Sequence, residues 1–257
     1  MNTAVTVFFL ILRVFSLYFL AVSLFGLCSR RRPEPAARLR RFAVLIAARN
    51  EESCIAGLIE SLRAQHYPPE LVDIWVLPNN CTDRTAEAAR RAGAQVLEMP
   101  ASVRSKGAAL HTAAKALLRS ARNYDAFCVF DADNEADPAF LSEMNRALDR
   151  TAIVKSRILA KNRTQAGISA CYEIYFCSAN HFLNRAREAV GLSARVIGTG
   201  FAIRRDLLEA LDGFPCRTLT EDAELYAACL CRGARIGYCE TAVTYDEEPV
   251  TWRASLV

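Results

Sequence analysis

Two aspartates, Asp131 and Asp133, open the run FDADNEADP at the end of an apolar stretch. Carboxylates there are costly without a cation, and hard divalent ions such as Mg2+ or Mn2+ take such oxygen ligands and share them with substrate phosphates. Helix capping by Asp133 or Asp137 would also explain the tripeptide, but its place behind a buried strand favours the metal. Thr220-Glu221-Asp222 follows a Gly213-Phe214-Pro215 turn and opens a helix. Either Thr220 caps that helix with two acids in its first turn, or a carboxylate there takes a proton from an acceptor hydroxyl. Arg104-Ser105-Lys106-Gly107 also enters a helix, where a lysine suits a phosphate or nucleotide as well as it suits solvent. The segment Ala48-Arg49-Asn50-Glu51-Glu52 lacks the glycines of a dinucleotide site, which argues against an NAD or FAD enzyme. Asn79-Asn80-Cys81-Thr82-Asp83-Arg84-Thr85 is dense in polar groups that can read a base edge or cap the next helix.

The elements that position these residues alternate in type. Residues 42–48 (FAVLIAA) form a continuous apolar run, short enough for a strand buried on both faces. Helical spacing of Ile55, Leu58, Ile59 and Leu62 predicts a helix over 53–65. A strand over 72–77, a helix over 83–92 closed by Gly93, and a strand over 95–99 follow. Next come a helix over 106–121, a strand over 126–130, and a helix over 138–148 with proline in its first turn. That order predicts an α/β fold, a largely parallel sheet flanked by helices, with ligands beyond the carboxyl ends of its strands. Beyond residue 150, strands over 152–156 and 196–203 and helices over 165–189 and 221–232 are expected.

Hydrophobic residues make up 52% of the 257 and charged residues 23%, which excludes a disordered chain. The net charge of +4 resides in residues 29–41, with six Arg and one Glu; the remainder is near neutral and shows no nucleic-acid-binding face. Ten cysteines include no CxxC pair, and His66, His111 and His181 stand apart, so buried thiols in a reducing compartment are expected rather than zinc. Residues 4–28 are apolar apart from Arg13 and a few hydroxyls, and long enough to cross a hydrocarbon core of about 30 Å. Arg13 near the middle costs about 2.5–3.5 kcal/mol unless it snorkels or finds a partner. No small-residue cleavage site is evident, and Arg30, Arg31 and Arg32 follow at once, so a retained span with a cytoplasmic domain is expected. Pro33 and Pro35 stiffen the linker. The organisation read from sequence is a transmembrane helix over 1–28, a basic juxtamembrane linker over 29–41 and a domain over 42–257.

In order and spacing, AARNEE, NNCTDRT, SKGAAL, FDADN, GTGFAIRR, GFP and TED resemble the family 2 glycosyltransferases of the GT-A fold. The resemblance runs from Phe42 to Val257. It implies a metal-dependent, inverting enzyme that takes a sugar from a nucleotide-diphosphate donor, most often UDP-linked, to a glycan or lipid-linked acceptor. It further implies that Ala48 and Glu51 line the nucleoside pocket, that Asn79 faces the uracil, and that Lys106 lies near base and ribose. Asp131 would face the nucleotide and Asp133 would bind Mn2+ or Mg2+. Gly198, Thr199, Gly200 and Glu221 would border the acceptor, and Asp222 would be the general base. Asn79 stands where the family usually has an aspartate and adds a donor to the base contact. Membrane-bound relatives continue past a segment like EEPVTWRASLV into a Gln-x-x-Arg-Trp motif, so an incomplete C-terminal end is also expected. Two rivals remain: a nucleotidyltransferase, which would want a glycine-rich loop after the first strand, and a membrane-tethered nucleotide-sugar-binding module without catalysis.

Overall fold

Strand β1, Phe42–Ala48, alternates its side chains between two cores, as a strand covered on both faces must. Phe42, Val44 and Ile46 pack on one side with Ile55, Leu58 and Ile59 of helix α2 (Ile55–Arg63) and with Phe140 and Met144. Ala43 and Leu45 pack on the other with Ala109, Leu110 and Ala113. The computed structural model describes residues 3–28, 35–215, 218 and 220–256; the expectations for Arg30, Arg31, Arg32, Pro33 and Cys216 lie outside them.

Chain order continues with β2 (Val72–Pro78), α3 (Thr85–Arg91), β3 (Gln95–Val96), α4 (Lys106–Leu118), β4 (Ala126–Asp131), β5 (Glu135–Ala136), α5 (Phe140–Ala147) and β6 (Ile153–Ala160). Helix α6 (Gly167–Ser178) runs through a wider π-type stretch, Ala179–Arg185, into α7 (Ala186–Ala189). Then come β7 (Phe201–Arg204), α8 (Arg205–Ala210), α9 (Glu221–Cys231), β8 (Ile236–Asp246) and the short α10 (Trp252–Ser255). The sheet order is β3-β2-β1-β4-β7-β6-β8-β5, with β7 and β5 running against the rest. The mostly parallel sheet flanked by helices is thus observed.

Gly93 closes α3 at φ +92, as a C′ glycine should. Three expectations shift. The strand expected over 95–99 pairs only at Gln95–Val96, with one further bond from Leu97 N to Val76 O. The strand expected over 196–203 is confined to Phe201–Arg204, because Gly200 turns the backbone at φ +60 just before it. Strand β8 was not anticipated. A register shift opposite Ser156/Arg157 breaks its alternation, so no clean two-residue period shows in IGYCETAVTYD.

The end of the basic segment is docked on the domain. Buried Arg40 donates to Asn145 O at 2.9 Å and to Asp149 Oδ1 at 2.6 Å, and Arg38 meets Asp125 at 3.0 Å. Helix α1, Thr3–Cys28, is apolar and exposed along most of its length. Its final turns pack on the π-type stretch and α7: Ser23 Oγ donates to Phe182 O at 3.1 Å, and Gly26 sits where a Cβ would meet His181 O at 2.4 Å.

Gly200 anchors β7 beside β6 and β8. A Cβ there would lie 2.6 Å from Ser156 Oγ and 2.7 Å from Thr244 Oγ1. Combining left-handed strain with overpacking, Gly200→Ala should lose about 2–4 kcal/mol of stability. Denaturant unfolding in detergent micelles reads this directly, and a midpoint equal to the parent's would contradict the packing account.

Candidate functional site

The loops after β1 and β2 hold each other. Asn50, at φ +60, accepts Thr82 N on Oδ1 at 2.7 Å. Glu51 N donates to Thr85 Oγ1 at 2.9 Å, Glu52 N donates to Asp83 Oδ2 at 3.1 Å, and Arg84 pairs with Glu52 at 2.9 Å. Asn79 N donates to Ala48 O at 2.9 Å, which sets the buried Asn79 side chain beside the end of β1. Asn80 Nδ2 donates to Asn79 Oδ1 at 2.9 Å. Polar residues rather than glycines therefore shape this cleft, and Ala48, Glu51 and Asn79 share one wall.

Lys106 gathers the remaining loops. Ser105 caps α4 by accepting Ala108 N at 3.2 Å, which places the lysine at the first helical position. Its ammonium pairs with Asp131, donates to Gly198 O at 2.8 Å, and stands 3.6 Å from Glu221 Oε1. A Cβ at Gly198 would lie 3.1 Å from that ammonium. Asp131, Gly198 and Glu221 come from three separate chain segments and converge on this one charge.

Behind Asp131 lies a buried polar network. Asn134, 1% exposed, accepts Asp131 N at 3.2 Å and the Thr199 hydroxyl, and donates to Asp246 Oδ1 at 2.6 Å. Thr199 Oγ1 accepts Asp131 N at 3.0 Å. Beneath it Lys155, also 1% exposed, donates to Thr199 O at 2.8 Å and Gly200 O at 3.1 Å. Burial pulls its ammonium down to about 7; Asp246 and Asp131 oppose that shift and Lys106 adds to it.

Negative charge is crowded at this edge. Burial raises the Asp133 carboxyl above its usual range, and repulsion from Asp131, Glu51 and Glu247 adds to it. Asp246 is pushed up to about 6 by burial and by Asp133 and Asp131. Glu248 reaches about 7 by burial and by Asp246 and Asp133. Cys54, half-buried beside Glu51, rises to about 12 and is no thiolate. Among the described residues no three His, Cys, Asp or Glu side chains are arranged to hold a metal by themselves. The donor set is one of crowded carboxylate oxygens, and the Asp133 carboxylate accepts a long bond from Asn134 Nδ2 at 3.4 Å. Such a set fits a hard cation that completes its coordination with phosphate oxygens and water.

Of the residues singled out in the sequence, Lys106, Asp131, Gly198 and Glu221 meet directly, Thr199 joins them through Asp131 N, and Gly200 continues the same loop. Asp222 follows Glu221 in the first turn of α9 and accepts Ala223 N at 2.7 Å. Thr220 precedes α9 without a side-chain capping bond, so its hydroxyl is not the cap that the structural reading supposed. Sequence reasoning missed Asn134, Lys155, Asp246 and Glu248. Asn134 had a signal in its place directly behind Asp131-Ala132-Asp133, and Asp246 in ending a strand whose period is broken by a bulge.

A model of the family described as glycosyltransferase like family 2 matches residues 40–256. The probable glycosyltransferase YdaM of Bacillus subtilis (strain 168) is 27% identical over 232 residues, 86% of this chain and 54% of the relative. A beta-monoglucosyldiacylglycerol synthase of Synechocystis sp. is 27% identical over 193 residues, 71% of this chain and 38% of that protein. The chain thus spans about half the length, or less, of these curated relatives. Among solved structures, the mannosyltransferase PcManGT from Pyrobaculum calidifontis, in complex with GDP-Man and Mn2+, superposes with a TM-score of 0.72 at 20% identity, over 93% of this chain and 66% of the other. S. aureus TarS with UDP-GlcNAc gives 0.59 at 18% identity, over 84% and 61%. At these identities the likeness is one of fold, and the GT-A architecture is shared.

Lys155 supplies a pH test. Folded, its ammonium loses the proton near 7; in the unfolded chain it does so near about 10.4. Between those values the unfolded state binds more protons, so the Lys155 contribution to stability rises with pH and falls as pH drops through 7. The melting-temperature difference between parent and Lys155→Met should therefore move in the parent's favour from pH 7 to pH 9. A difference constant across that window would show that Lys155 is not buried as described.

Proposed function

The chain belongs to the glycosyltransferase-like family 2, and from that premise we propose that it is a membrane-anchored, inverting glycosyltransferase moving a sugar from a nucleotide diphosphate, UDP, to a hydroxyl of a glycan or lipid-linked acceptor. The observation that carries this reading is the convergence of Asp131, Gly198 and Glu221 on Lys106, beside the wall formed by Ala48, Glu51 and Asn79. The wall takes the nucleoside, Asn79 meeting the base edge. Lys106 and the start of α4 face the nucleotide, and the loop Gly198-Thr199-Gly200 borders the acceptor. Asp133 would hold a divalent cation, Mn2+ or Mg2+, which when bound neutralises charge on the departing diphosphate. Solved structures of this fold hold Mn2+ with GDP-Man and with UDP, in keeping with this assignment.

Inversion by one displacement needs a base on the acceptor side of the sugar. Glu221 already faces an ammonium at 3.6 Å, whereas the hydrogen bond at Asp222 Oδ1 comes from the neighbouring Ala223 N–H. We assign the base to Asp222 and acceptor contact to Glu221. Successive residues of a helix point about 100° apart, so the two acids serve different sides of the cleft. Helix α1 would be the span and the domain would be cytoplasmic, with the arginines after α1 held on that side.

Two measurements test the assignment. Asp133→Asn should abolish the Mn2+- or Mg2+-dependent part of UDP binding in titration calorimetry while the melting temperature stays near the parent's. UDP binding that responds equally to EDTA in both proteins would remove Asp133 from the metal site. Asp222→Asn should lower turnover, read as UDP release, by about 10²- to 10⁴-fold with little change in donor binding. If Asp222 were only a helix-terminal charge, the variant would lose about 1 kcal/mol or less and stay active. A dead Glu221→Gln beside an active Asp222→Asn would transfer the base to Glu221.

A further inference from the structure

The exposed face of α6 and its π-type continuation carries no charge. Cys171, Ile174, Tyr175, Ser178 and Phe182 follow one another at helical spacing and are all exposed, with Ile174 at 67%, Tyr175 at 52% and Phe182 at 48%. Glu173 is the only acid among residues 167–184, which contain no Lys or Arg. It is turned inward, accepting Ala160 N at 2.7 Å and facing Arg163 at 3.7 Å. A solvated helix would place charges on this face instead.

One end of this face joins α1. Ser23 of α1 bonds the carbonyl of Phe182, and Gly26 lets the two helices touch at His181 and Ala186. The exposed Leu24, Phe25 and Leu27 of α1 therefore run into Phe182 without an intervening charged residue. The other end reaches the acidic edge of the cleft. Ser169 Oγ donates to Asn162 O at 3.0 Å, and Asn162 exchanges hydrogen bonds with the backbone of Glu248 at 2.7 and 3.0 Å. Tyr172 also bonds Ser255 of α10 at 2.9 Å, and α10 exposes Trp252 at 68%. Indole and phenol rings are the side chains that settle at a bilayer's headgroup level.

We propose that the helical stretch 167–189 is a membrane-docking surface: its uncharged face lies in the headgroup region beside α1 and brings the cleft's acidic edge to the leaflet, where a lipid-linked acceptor presents its hydroxyl. The occupant is the bilayer, because the face is continuous with the apolar exterior of α1. The inference rests on α1 being a span, and the test separates the two.

The full chain is reconstituted in liposomes of phosphatidylethanolamine and phosphatidylglycerol. Flotation that survives alkaline carbonate reads the span alone. Tyr175→Trp in a Trp252→Phe background then places an indole on the face, and Trp252→Phe alone supplies the signal of Trp75 for subtraction. Lipids brominated high on the acyl chain should quench the introduced indole about twofold or more, as for a side chain sunk about 5–10 Å into the interface. Ile174→Glu should also lower transfer to a lipid acceptor in vesicles and leave hydrolysis of the soluble donor at the parent's rate. Flotation with an unquenched, water-like indole overturns the docking surface and leaves the span intact. A blue-shifted indole that bromine does not quench, and whose shift grows with protein density, assigns the face to a second copy and likewise overturns it. A parent that does not float overturns the anchoring and the docking together.

Discussion

Carboxylates crowd the carboxyl ends of β4 and β8 beyond what the nearby cations can balance, and much of the structure is arranged around that excess. Two like charges about 6 Å apart repel by roughly 3 kcal/mol at an effective dielectric of about 20. Asp131, Asp133 and Asp246 all contribute, as their mutual effects on proton affinity show. Lys106 pairs with Asp131 from the front, and Lys155 lies buried behind, where its charge favours ionised Asp246. Neither ammonium bonds Asp133. That carboxylate is left as the point at which an incoming cation gains most.

The same excess explains the density of neutral hydrogen bonds around it. Asn134 ties the backbone of Asp131 to Thr199 and to Asp246, linking β4, the loop before β7, and β8. A network of this kind is fully satisfied or costly, since a buried amide that lost one partner would forfeit about 1–3 kcal/mol. Lys155 spends its donors on the carbonyls of Thr199 and Gly200 and so fixes the turn that leads into β7. The positive φ of Gly200 is what turns those carbonyls toward the lysine and returns the chain to the sheet at Phe201.

Legibility in the sequence followed local periodicity. Strands β1, β2 and β4 are short apolar runs buried in the sheet, and helix α2 shows its stripe of Ile55, Leu58, Ile59 and Leu62; all four were readable at once. Strand β8 was not, because a bulge opposite Ser156/Arg157 shifts its inward set midway. Lys155 was hidden for a related reason: in VKSRIL a lysine followed by Ser156 and Arg157 reads as solvent-facing, yet β6 is covered on both faces there. Asp246-Glu247-Glu248 reads as a solvated acidic run until β8 is recognised and Asp246 is seen to end it. In Thr220-Glu221-Asp222 the residue types alone left two acids open; the resemblance implied Asp222 as the base, and the structure adds the contact of Glu221 with Lys106, which spans more than a hundred residues of chain.

The way the chain enters the domain limits where the cleft can work. Arg40 is locked to Asn145 and Asp149, so the domain begins immediately after residues 35–39, while α1 ends at Cys28. The twelve residue steps from Cys28 to Arg40 reach at most about 40 Å when fully extended. With α1 in a bilayer, the domain surface near Arg40 therefore stays within that distance of the end of the span, even if the contacts of Ser23 and Gly26 were broken. When they are formed, the helical stretch 167–189 is fixed against α1 as well. Two attachments at separate places suppress rotation of the domain about the span, which a single tether would allow. A soluble nucleotide sugar can approach such a cleft from anywhere in the aqueous phase, whereas an acceptor confined to the leaflet meets it at a fixed height. Such anchoring would therefore constrain acceptor geometry far more than donor access.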